Sequence, residues 1–120
     1  MDRDRFRRLV QQALAALPEE FRDRLANVAV VVRREPTAAD RREAGIARGE
    51  DLFGLYVGTP LTERAEYHLV LPDRILVFQG PHERAFPPAA LTREIRRTVA
   101  HEVAHHFGID DDRLEALGLG

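Results

Sequence analysis

Between Arg5 and Leu17 the apolar residues Phe6, Leu9, Val10, Ala13, Leu14 and Leu17 recur at steps of one, three and four, which places them on one side of an amphipathic helix. Pro18 breaks that helix, and Pro18-Glu19-Glu20 can open a short second one through Leu25. The pattern then changes. Asn27-Val28-Ala29-Val30-Val31-Val32-Arg33 is β-branched and apolar, the signature of a buried strand. Thr37 with Asp40 resembles a capping box that opens a short helix to about Ala44, and Gly45 and Gly49 mark a loop. Leu52 to Gly58 reads as a second strand, stopped by Thr59-Pro60. Leu61 to Glu66 is polar and suits a loop or a helical turn. Tyr67–Leu71 and Arg74–Gln79 read as a strand pair around a turn at Pro72-Asp73, with Gly80-Pro81 ending the second strand. Pro87-Pro88 leads into a long helix of about 20 residues that ends at Gly108, and a short helix, Asp110 to Leu117, follows. The expected fold is α+β, a small mixed sheet packed on the long helix, in a single domain over residues 1–120.

Composition narrows the chemistry. The chain has no cysteine, so disulfides, thiolate metal ligands and a cysteine nucleophile are excluded. Any metal must be held by imidazole and carboxylate. A net charge of −2, from 18 basic and 20 acidic residues spread along the chain, gives no footprint for nucleic acid or an anionic membrane. All the basic side chains are Arg, as a GC-rich genome would produce. No apolar run is long enough to span a bilayer, and the charged N-terminus lacks the apolar stretch of a secretory signal, so a cytoplasmic location is expected.

The decisive segment is Thr98-Val99-Ala100-His101-Glu102-Val103-Ala104-His105-His106-Phe107-Gly108-Ile109-Asp110-Asp111, which contains H-E-x-x-H. Residues four apart on a helix lie about 40° apart around its axis, so His101 and His105 share a face and can meet at one zinc ion. Glu102 lies about 100° round from His101, beside the metal, where it can act as general base on a zinc-bound water attacking a peptide carbonyl. Leu91, Ile95, Val99 and Val103 form a separate apolar stripe for the core. Catalytic zinc usually takes three protein ligands and one water. Gly108 can turn the chain, and Asp111, six residues after His105, is the expected third ligand, with Asp110, Asp112 and Glu115 as competitors. Only 15 residues follow His105, which excludes a Glu ligand on a distant downstream helix. The only methionine is Met1, which excludes a methionine turn beneath the site.

Three segments together resemble a family of small bacterial zincin-like metallopeptidases: Gly54 to Arg64, Leu71 to Pro81, and Arg96 to Ile109 around the H-E-x-x-H helix. The resemblance covers the chain from Leu52 to its end. It implies a minimal zincin fold, His101 and His105 as zinc ligands, Glu102 as catalytic acid/base and Asp111 as third ligand. It also implies a peptide or protein substrate pairing with an edge strand above the helix, for which Arg74–Gln79 is the candidate. The competing function is a non-catalytic metal-binding or interaction domain on the same fold, and hydrolysis of a non-peptide amide is a third. Intact Glu102 favours the enzyme readings, since metal binding alone needs only the ligands.

Other residues carry weaker expectations. His106 points about 100° away from His105 and is expected to pack or to support a neighbour rather than ligate. His82 is expected in an exposed loop. Tyr56 and Tyr67 are expected to pack, although either could stabilise an oxyanion. Thr98 and Glu94 are candidate partners for an imidazole N–H. Arg96 and Arg97 read as a solvated patch, and the N-terminal helix as a packing element rather than a cover over the cleft. Sequence leaves the oligomeric state open.

Overall fold

In the computed structural model, residues 1–47, 49–58 and 73–116 are described, except the side chain of Asp111. Their elements are α1 (Arg3–Ala15), α2 (Glu19–Arg22), β1 (Val28–Arg33), α3 (Ala38–Ala44), β2 (Gly54–Val57), β3 (Asp73–Phe78), α4 (Gln79–Ala85), a 3₁₀ turn (Pro88–Ala90), α5 (Leu91–Phe107) and α6 (Asp111–Ala116). The architecture is the expected α+β one. The sheet is mixed, in the order β1-β3-β2, with β1 parallel to β3 and β2 antiparallel to it.

Side-chain alternation along β3 sorts the core into two sides. Ile75 and Val77 face a cluster built with Phe6 and Val10 of α1, Val32 of β1, and Leu91, Ile95, Val99 and Val103 of α5. Leu76 and Phe78 face the other way, into a smaller cluster with Leu52, Leu55, Val31, Ala44 and Ile46. The α5 stripe expected from spacing is thus the stripe that is buried, and each of its large side chains contributes about 1.5–3 kcal/mol. Helix α1 packs into the α5 side of this core, as expected for a packing element. The Thr37–Asp40 capping box is present in both directions, at 3.0 and 2.9 Å.

Three expectations are corrected. Arg74–Gln79 is not an edge strand: β3 pairs on both sides, and among the described residues β1 and β2 are the outer strands. Asp73 does not form a turn but begins β3 opposite Val28. Gly80-Pro81 does not lead into an exposed loop. It sits in the first turn of α4, where a proline is tolerated because its missing N–H would have no helical partner. His82 is consequently buried, not exposed. The expected Tyr67–Leu71 strand, Tyr67 itself, the Leu61–Glu66 segment and Pro72 lie outside the described residues.

Candidate metal centre

Helix α5 carries the site, and its termination shapes it. Gly108 adopts a left-handed conformation (φ 71°), its N–H donating to the His105 carbonyl at 3.1 Å while the Ile109 N–H donates to the Ala104 carbonyl at 2.8 Å. This satisfies carbonyls that the helix end would leave orphaned, and it reverses the chain so that α6 begins at Asp111. Asp111 is therefore the first residue of α6, two residues beyond Ile109, and its side chain is outside the described set. Asp110 is occupied otherwise: its Oδ1 accepts the Arg113 N–H at 2.8 Å and caps α6. Asp112 and Glu115 are exposed.

His101 and His105 lie one turn apart with ring centroids 4.4 Å from each other. With Glu102 they offer three potential ligand atoms, all within 4.8 Å of one another, and no other such group occurs among the described residues. Potential ligand atoms this close, on residues one helical turn apart, can converge on one ion. His105 Nδ1 lies 3.1 Å from Glu102 Oε1, a contact that favours the Nδ1–H tautomer. The donor set is imidazole and carboxylate, as a cysteine-free chain requires, and it fits zinc.

Glu102 is 5% exposed and is held from across the cleft: the Tyr56 N–H of β2 donates to its Oε1 at 3.0 Å. Such an approach of strand to helix requires the absence of a side chain at Gly54. A Cβ there would stand 2.7 Å from Thr98 Cγ2 and 3.0 Å from Glu102 Cγ. The three residues lie along a cleft of about 710 Å³ bounded by β2, the α3–β2 connection and α5. That volume is in the range of small-molecule and peptide side-chain sites.

The protein belongs to the zincin-like metallopeptidase family. The family match covers residues 25–120, which include the whole sheet and the site helix. No curated protein matches the chain. In this zincin-like protein the small sheet over a long site helix is the minimal form of the fold, and family membership implies a divalent metal, typically zinc, and a peptide or protein substrate. No helix among the described residues is long and apolar enough to cross a membrane.

The neighbouring residues take roles that spacing did not reveal. Thr98 and His82 do pair, but Thr98 meets His82 and not a site histidine: Thr98 Oγ1 lies 2.8 Å from His82 Nε2, while His82 Nδ1 donates to the Phe78 carbonyl at 2.7 Å. Ringed by Phe6, Phe53 and Phe86, His82 has its pKa lowered by burial, against the opposing pull of the Phe78 carbonyl and the Glu94 charge. Glu94 pairs with Arg93 and Arg97 at the cleft wall. His106 stays away from the cluster of potential ligands, buried beside Asp73 and Tyr56. Asp73 was not singled out by sequence. One signal existed: His106 lies three residues after Val103 and seven after Val99, hence on the buried face, where an imidazole needs a polar partner.

Proposed function

We propose that this zincin-like protein is a zinc-dependent peptidase in which His101 and His105 hold the metal, Asp111 completes its protein ligands and Glu102 is the general base. The observation that carries the proposal is the convergence of His101, Glu102 and His105 within 4.8 Å on the wall of an open cleft. When bound there, zinc supplies the Lewis acidity that makes water a nucleophile near neutral pH and polarises a carbonyl. Glu102 takes the proton of the attacking water and returns it to the departing amine. Because Oε1 is tied to the Tyr56 amide, Oε2 is the oxygen that handles the proton. The Tyr56 bond also orients the carboxylate before substrate arrives, so less ordering remains for the transition state. An extended substrate would lie beside β2, which lines the cleft and is an outer strand of the sheet among the described residues. The packing of α1 against α5 supports reading residues 1–120 as one domain, although the family match begins at residue 25.

The test is hydrolysis of a mixed peptide library by the zinc-loaded chain and by Glu102→Gln, with zinc content measured in both. The proposal expects equal zinc and a loss of about 10²–10⁴-fold in rate for the variant. Equal rates would leave a metal-binding module on this fold.

A further inference from the structure

The carboxylate assigned as general base is held by a backbone amide, and that amide is itself anchored through the half-buried Tyr56 side chain and the buried Asp73 and His106. The Tyr56 N–H belongs to β2 and Glu102 to α5, so their 3.0 Å bond lasts only while strand and helix keep their spacing. The Tyr56 side chain reaches underneath and donates its hydroxyl to Asp73 Oδ2 at 2.6 Å. His106 Nδ1 donates to the same oxygen at 2.7 Å and lies 3.3 Å from Tyr56 Oη. Asp73 is the first residue of β3, and His106 directly follows His105. A single carboxylate oxygen thus joins the strand that holds Glu102, the central strand, and the last turn of the helix that carries His105.

The surroundings make this junction stiff. Asp73 is 2% and His106 4% exposed, so the bond between them is shielded from water. Gly58, at the end of β2, presses on the cluster: a Cβ there would collide with Asp73 Oδ1 and come 2.9 Å from Tyr56 Oη. The Tyr56 and His106 rings meet edge to face at 5.6 Å, which fixes their relative tilt. A buried carboxylate–imidazole pair is a weak source of net stability, since apolar residues of the same volume would hold the fold about as well. What apolar residues would not supply is directional restraint on Tyr56.

We infer that Asp73, His106 and Tyr56 form a positioning device that sets the Tyr56 amide against Glu102 and the rotation of the helix turn bearing His105. The inference rests on Glu102 being the general base. None of the three side chains handles the reacting atoms; Asp73 and His106 act through Tyr56 and through the helix.

Its test uses the full zinc-loaded chain with Asp73→Asn and Tyr56→Phe, the second keeping the ring and the backbone amide and deleting one hydroxyl. The first readout is kcat and KM per folded, zinc-loaded molecule. A fall of about 10- to 100-fold in kcat is expected, with KM little changed. The second readout needs no activity: the ¹H–¹⁵N resonance of Tyr56 is compared between Glu102 and Glu102→Gln, in the parent and in each variant. The parent amide should move on loss of the charge, and the variants should respond more weakly. Unchanged kcat and an undiminished amide response in Tyr56→Phe, with only the melting temperature lowered, would overturn the inference. Should Asp73→Asn fail to fold, Tyr56→Phe decides alone. If Glu102→Gln itself keeps full activity, the general-base reading fails, and the amide response still shows whether the cluster holds the carboxylate in place.

Discussion

Alanine at position 54 is expected to damage the site through steric contact alone. Gly54 does not have a positive φ, so its backbone is open to any residue, and only the space is lacking. The added Cβ would stand 2.7 Å from Thr98 Cγ2, about 0.8 Å inside the roughly 3.5 Å at which two carbons rest. It would also stand 3.0 Å from Glu102 Cγ and 3.2 Å from the Leu76 carbonyl. Thr98 cannot simply rotate away, because its hydroxyl meets His82 Nε2 at 2.8 Å. Strand β2 must therefore shift from α5, and overpacking of this kind costs about 1–3 kcal/mol. At about 4 °C per kcal/mol for a chain of this length, the melting temperature should fall by about 4–12 °C. The same shift lengthens the Tyr56 N–H···Glu102 bond, so the Tyr56 amide resonance should move. Gly45→Ala is the matched control. Gly45 has φ 68° with nothing within 4 Å of the added carbon, so alanine there costs about 1–2 kcal/mol of backbone strain and leaves Tyr56 untouched. Thermal unfolding by circular dichroism and an amide spectrum read both effects. A Gly54→Ala protein that melts with the parent and keeps the Tyr56 resonance would refute the close approach of β2 to α5.

Two further outcomes follow from the geometry. His82 has its pKa pushed below the ordinary 6.5 by burial, so the unfolded chain binds its proton first. Its contribution is intact above 6.5 and lost as pH falls through 6.5 toward the folded value, so metal-free parent should lose more stability than His82→Gln between about pH 7.5 and about pH 5; equal losses would contradict this. Asp111→Ala should weaken zinc binding strongly in a chelator competition, whereas Asp110→Ala should leave zinc affinity unchanged and cost about 1 kcal/mol through the lost α6 cap. The reverse ranking would move the third ligand to Asp110.

The parts of the fold legible in sequence were those written in local periodicity and capping. The α5 stripe, the shared face of His101 and His105, the Thr37–Asp40 box and the turn at Gly108 each depend on residues within a few positions of one another. Strand order was not legible, because β1 pairs with a strand 45 residues further on, and nothing local marks β3 as central. Helix α4 was hidden by Gly80-Pro81, a pair that punctuates most chains but here occupies a first helical turn. The contact between Asp73 and His106 spans 33 residues, and the bond from Tyr56 to Glu102 spans 46. Those long-range bonds decide how the cluster is held, while the convergence of His101, Glu102 and His105 was already written in the H-E-x-x-H spacing.

X-ray absorption at the zinc edge of the loaded chain tests the central assignment most directly. Two imidazoles and oxygen donors at about 2.0–2.1 Å are expected, with one oxygen exchangeable with solvent and one imidazole lost in His105→Ala. A shell without two imidazoles, one unaltered in His105→Ala, or a closed set of four protein ligands would contradict it.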